Sequence, residues 1–187
     1  MKRSRSPLFP VVLLLSIFSS VQSAFAQLGS LFGAGPEVAE ITTDQLKSRL
    51  AIEGPADARS PRDQGSESNK GKPSDFVLVD VRSDREVNVS VIPGAITKAQ
   101  YEGHPEKFRD KTVIVYCTVG GRSGMYAAKL VTEDPERDVL NYRGSIMAWI
   151  RAGLPLQTLQ GEPTQRVHTY SKHYSVPDGY VQVTGRP

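Results

Sequence analysis

The chain has 187 residues, 23 of them Lys or Arg and 20 Asp or Glu, with 39% hydrophobic residues, enough for one domain with a proper core. Its net charge of +3 and pI near 9.0 owe much to Lys2, Arg3 and Arg5, which share the first 26 residues with no acidic group; no block of Lys and Arg elsewhere would track phosphates, so nucleic-acid binding is not supported. The single cysteine, Cys117, excludes an intramolecular disulfide, and one Cys with three scattered His offers no spacing for a metal site.

In chain order, residues 1–26 read as a secretory signal peptide. A basic start precedes a short apolar run interrupted by Pro7 and Pro10, and Ala24-Phe25-Ala26 supplies small residues for cleavage after Ala26. The run falls short of the roughly 20 residues that span a bilayer. The expected product is an exported chain, periplasmic or extracellular, with no stable membrane association after cleavage. Removing the segment leaves about 161 residues with no net charge. Residues 27–37 read as a flexible leader, 38–158 as one domain and 159–187 as a C-terminal extension.

Within the domain, "TTDQLKSRLAIEG" predicts a helix capped by Thr42 or Thr43, striped by Leu46, Leu50 and Ile52, and stopped at Gly54. Residues 54–75, rich in Pro, Gly, Ser and charge, read as a disordered insertion loop. "FVLVDVR" (76–82) is a short buried strand, and Ser83 with Glu86 forms a capping box for a short helix. Pro93-Gly94 mark a turn, "HPEKFRDK" is a polar helix or loop, and "TVIVYC" is a second strand. "SGMYAAKLVTED" is amphipathic, with Met125, Ala128, Leu130 and Val131 near helical spacing. "DVLNY" is a third strand, and "SIMAWIRAG" is a helix with Ile146, Trp149 and Ile150 on one face, stopped by Gly153 and Pro155. Strands alternating with helices predict an α/β fold: an open, mainly parallel sheet flanked by helices on both faces. In the extension, "VHTYSKHY" alternates as a half-buried strand does; His168, His173, Tyr170, Tyr174 and Tyr180 are read as packing on the domain rather than as a donor or acceptor surface.

Ligands of such sheets bind beyond the carboxyl ends of the strands, and Cys117 occupies that position. It is followed by Thr118, Val119, Gly120, Gly121 and Arg122, with a helix expected from near Ser123. The glycines let successive N–H groups turn inward as an anion-binding nest. The helix N-terminus adds partial positive charge and an inward Arg122 adds a full one. Such surroundings bring a thiol from about 8.5 to roughly 3.5–7.5, which turns a packing residue into a nucleophile. In an exported chain a single thiol is also usually replaced unless it is buried or used.

Taken together these residues resemble the rhodanese-like, single-domain sulfurtransferases. The resemblance runs over about residues 40–157 through "LVDVR", "REVNVSVIPGAI", "VIVYCTVGGRS" and "LNYRGSIMAWIRAGLP". It departs from the family pattern at Ser90 and Val91, where the family has Gly-His, and at Ser145, where it has the second glycine of a pair. Lying outside the active loop, these three are expected to bear on local packing. The resemblance implies sulfur transfer without a cofactor. Cys117 takes a sulfane sulfur from a small anionic donor such as thiosulfate, carries it as a persulfide, and passes it to a thiol, or to cyanide in an assay. The N–H groups of residues 118–122 and the adjoining Ser123 cradle the charge, Arg122 holds an anionic donor or orders the loop, and Asp80 and Arg82 brace the strand end in support. Thiosulfate, a persulfide, a polysulfide and mercaptopyruvate all fit this loop.

Two other readings belong to different classes. A phosphatase or arsenate reductase with related architecture carries C-x5-R, whereas Cys117 to Arg122 is C-x4-R, one residue tighter and better suited to one added sulfur than to a phosphate. A sulfur-binding or sensing module without turnover would share the same loop.

Overall fold

The computed structural model describes residues 36–52 and 75–185. The expected signal peptide, most of the leader and all but the last residue of the expected insertion loop lie outside the described residues.

Five strands form one wholly parallel sheet: β1 (Ala39–Glu40), β2 (Phe76–Asp80), β3 (Ile96–Thr97), β4 (Thr112–Tyr116) and β5 (Val139–Asn141), in the order β1-β5-β4-β2-β3. Helices α1 (Thr43–Arg49), α2 (Asp84–Val87), α3 (Lys98–Gly103), α4 (Gly121–Glu133) and α5 (Ser145–Arg151) complete the fold, with a short 3-10 turn at Pro105–Phe108. The α/β expectation is met. Phe76, Leu78, Ile114 and Tyr116 point to one face, packing with Leu46 of α1 and Ile146, Met147, Trp149 and Ile150 of α5. Val77, Val79, Val113 and Val115 point to the other, packing with Tyr101 of α3 and Tyr126 and Ala127 of α4. A sheet buried on both faces needs apolar residues at successive positions, which is why β2 and β4 read as continuous runs.

Several boundaries differ from the sequence reading. Thr42 caps α1 in a reciprocal box with Gln45, but the helix ends at Arg49, because Ala51 turns into the left-handed region at φ 50°, three residues before Gly54. The first long strand stops at Asp80 rather than Arg82, and α3 forms within a stretch for which no element was expected. In α4 the buried face is Ser123, Tyr126 and Ala127, backed by Leu130 and Val131. Met125 is 70% exposed. The helix is phased by its start at Gly121, which turns Ser123 inward and Met125 out.

Beyond α5, β6 (Leu156–Gln157) pairs antiparallel with β7 (Pro163–Thr164), and β8 (Arg166–His168) pairs parallel with β9 (Val181–Val183). Val167 is fully buried in the same cluster as Trp149. The strand expected through "VHTYSKHY" ends at His168, since Tyr170 takes φ 64°.

The carboxyl end of β2 is fastened by an ion pair whose two side chains are fully buried. Arg82 grips Asp80 through Nε (2.9 Å) and Nη2 (2.6 Å), and gives its remaining donors to Ser90 O (2.7 Å) and His168 O (3.4 Å). Burial alone would lower the Arg82 pKa, but Asp80 more than compensates and raises it. Ser90 and Val91 are fully buried beside this pair, and Val91 bridges to Gln157, the packing role expected of them. Removing one partner of a buried pair leaves an uncompensated charge, so Asp80→Ala is expected to cost about 3–5 kcal/mol, read as a lower urea midpoint.

Candidate active site

Cys117 directly follows β4, and the first turn of α5 holds the loop that it opens. Ile146 N–H donates to Cys117 O (3.2 Å), Met147 N–H donates to Thr118 O (3.3 Å), and Cys117 N–H donates to the Ser145 hydroxyl (3.1 Å). N–H groups of a helix start, which lack partners within the helix, are thus matched to loop carbonyls. With those carbonyls tied to α5, the loop turns N–H groups toward the sulfur. Gly120 N–H reaches Cys117 Sγ at 3.2 Å, and the N–H groups of Val119 and Ser123 also donate to it. Gly120 makes the curl possible at φ 92°. A Cβ there would collide with Arg143 O, so no other residue fits.

Cys117 is 1% exposed. Burial pushes its thiol up, but the Ser123 N–H and hydroxyl and the N–H groups of Val119 and Gly120 together outweigh burial, leaving the pKa below the ordinary thiol value. The Ser123 hydroxyl also lies within reach of Asn141 Oδ1 (2.8 Å) and Gly120 O (3.2 Å), which fixes the start of α4 to β5.

Arg122 is engaged by Glu86 and Thr118, while its charge also interacts through space with Cys117. Its Nη1 and Nη2 each donate to a different carboxylate oxygen of Glu86 at 2.7 Å, and Nη2 also donates to Thr118 Oγ1 at 2.8 Å. Glu86 is fully buried and accepts further bonds from the Ser83 N–H and hydroxyl and from Thr118 Oγ1. Burial pushes its carboxyl up, yet Arg122 and Ser83 hold it down at about 2. Of the residues singled out from the sequence, Cys117, Val119, Gly120 and Ser123 meet at the sulfur. Thr118 serves the Glu86–Arg122 pair, and exposed Gly121 opens α4. Asp80 and Arg82 stand apart at the end of the neighbouring strand.

Sequence reasoning missed two members. Glu86 carried a visible signal, an acid in a capping box, but its pairing across 36 residues is long-range. Ser145 was assigned to local packing, and the structure corrects this. Its hydroxyl, 0% exposed, accepts from Cys117 N–H and lies 3.9 Å from Sγ, on a residue held at φ 54°. The signal was the serine standing where the family pattern has a glycine suited to that backbone conformation.

Comparison with known proteins gives the family. The model of the rhodanese-like domain matches residues 60–152. A sulfurtransferase of Allochromatium vinosum is 38% identical over 93 residues, which cover 46% of this chain and 83% of that protein. A tRNA uridine(34) hydroxylase of Ruegeria pomeroyi is 30% identical over 119 residues, covering 58% of this chain and 38% of that one. Among solved structures, a rhodanese-related protein from Thermoplasma volcanium is 20% identical, covering 64% of this chain and 97% of that one with a TM-score of 0.43. The chain belongs to the rhodanese-like domain family.

The Glu86 network makes the fold sensitive to acid with a definite sign. A carboxyl held at about 2 against an ordinary 4.5 contributes stability that is complete above 4.5 and is lost as pH falls toward 2. Allowing for solvent at the partly exposed Arg122, the contribution is about 1–3 kcal/mol. Glu86→Gln is expected to be less stable than wild type at about pH 6 and to approach it at about pH 3, measured by urea unfolding.

Proposed function

We propose that this chain is a sulfurtransferase that moves a sulfane sulfur through a persulfide on Cys117. The observation that carries the reading is the convergence of the Gly120, Val119 and Ser123 N–H groups on a buried Sγ, in a loop whose carbonyls are tied to α5. The Cys117 thiolate attacks the outer sulfur of a donor such as thiosulfate. One S–S bond forms as another breaks, and sulfite leaves with the electron pair. The resulting Cys117 persulfide keeps one negative charge, now on its terminal sulfur, within reach of the same N–H groups. This is electrostatic stabilisation of the kind an oxyanion hole supplies. An acceptor thiolate, or cyanide, then attacks that terminal sulfur and the Cys117 thiolate leaves. Each step is a sulfur exchange needing no external oxidant.

In this reading Arg122 orders the loop by its double bond to Glu86, and Asp80 with Arg82 braces the strand end. The engagement of Arg122 with Glu86, together with the tight C-x4-R spacing, supports sulfur over phosphate chemistry, because a phosphatase would need that guanidinium on the phosphate. Export is part of the proposal and rests on the character of residues 1–26 alone. The donors and acceptors fitting the site are a small sulfane compound and a thiol.

The test is thiosulfate-to-cyanide transfer by the chain from Gln27 onward, beside Cys117→Ser, with intact mass measured after thiosulfate alone. Turnover and a one-sulfur adduct are expected in the wild type, and both should vanish in the serine variant. An adduct without turnover would make the chain a sulfur carrier. Neither adduct nor turnover with any sulfane donor would refute the reading.

A further inference from the structure

Residues 168–171 lie past the span that matches the family, yet they reach the site. His168 ends β8 almost fully buried. Its carbonyl accepts from Arg82, and its Nδ1 accepts from Tyr170 N–H at 3.1 Å. Thr169 is fully buried, its hydroxyl donating to Ser171 O (3.0 Å) and accepting from Gln182 Nε2 (2.8 Å), while Ser171 N–H returns to Thr169 O (2.7 Å). Gln182 Nε2 further donates to Tyr174 O at 2.6 Å. These bonds hold Tyr170 at φ 64°, a left-handed conformation that is strained for a non-glycine residue and persists only where its surroundings over-determine it. The turn sets the Tyr170 ring over the Arg122 guanidinium, 5.5 Å from ring centre to Cζ.

Arg122 is thereby held on two sides. Glu86 takes both of its Nη atoms, and its Cζ lies over the Tyr170 ring. The charge that would draw a small dianion into the site is matched by a carboxylate and engaged by an aromatic ring. Arg122 keeps about a third of its side chain exposed (34%), and beside it stand Tyr170, 51% exposed, and Val119, whose N–H serves the sulfur, 46% exposed.

We propose that Tyr170 is a specificity-determining residue, which by pinning Arg122 to Glu86 withholds the guanidinium from a dianionic donor and favours sulfane sulfur on an organic carrier of lower charge. The inference rests on the sulfur-transfer reading above. With benzenethiosulfonate, a singly charged donor bearing an aromatic ring, the Cys117 thiolate takes the terminal sulfur. The new S–S bond replaces the old one, and benzenesulfinate leaves with the electron pair. Thiosulfate delivers the same sulfur with sulfite leaving, but carries two charges and no apolar surface for Tyr170 or Val119.

The experiment compares kcat/KM for the two donors, with cyanide as acceptor, in wild type, Tyr170→Ala and Tyr170→Phe, each checked for an unchanged melting temperature. Tyr170→Ala is expected to raise kcat/KM for thiosulfate about fivefold relative to benzenethiosulfonate, mainly through KM, because a guanidinium that has lost the ring and keeps only its Glu86 partner turns more readily to the dianion. Tyr170→Phe keeps the ring and is expected to retain the wild-type ratio. An active wild type whose donor ratio moves less than about twofold in Tyr170→Ala, or moves equally in Tyr170→Phe, overturns the role of Tyr170 while leaving sulfur transfer intact. A wild type inactive with both donors and free of any sulfur adduct overturns both.

Discussion

The site depends on the bonding of the loop after β4 to the first turn of α5. Cys117 O and Thr118 O are each held by an N–H of that helix, and Cys117 N–H by the Ser145 hydroxyl. The Thr118 carbonyl shares its peptide with the Val119 N–H, so fixing the one on α5 presents the other to Sγ. The Gly120 and Ser123 N–H groups join it through the left-handed turn at Gly120 and the start of α4, all in place before any reaction. The sheet supplies the position, since β4 lies between β2 and β5 and ends where an open parallel sheet offers space for a ligand. The two cores keep that position rigid, because β4 is packed on both faces.

Full charges have a different task from the backbone dipoles. Asp80 with Arg82 joins the end of β2 to Ser90 and His168, and Glu86 with Arg122 joins α2 to the start of α4. The hydrogen bonds of each pair join its two members and reach neighbouring elements. Buried ion pairs add little net stability compared with apolar packing, but breaking one is costly, so both act as fixed joints. The thiolate is favoured first by N–H contacts, and Arg122 contributes through loop shape and through the attraction of its charge for Cys117.

The fold was legible because its strongest signals are local. The runs at 76–80 and 112–116 could only be strands with both faces covered, and the Thr42 and Ser83 caps and the Gly153-Pro155 stop mark helix ends through nearby residues. Cys117 and its glycines were legible for the same reason, since the loop is contiguous. What escaped was set by contacts distant in sequence. The phase of α4, which exposes Met125, follows from the loop that starts it. Glu86 meets Arg122 across 36 residues and Ser145 meets Cys117 across 28. The turn at 168–171 is stabilised by Gln182, and no alternation pattern could foretell that Tyr170 would leave the strand for Arg122.

The central claim is that the cradle favours charged sulfur on Cys117 despite burial. Its most direct test is the pH titration of the thiolate by ultraviolet absorbance, with Cys117→Ser as the blank. A midpoint clearly below the ordinary thiol value of about 8.5 is the result expected. A midpoint at or above that value would mean that burial wins and that the loop is a packing feature.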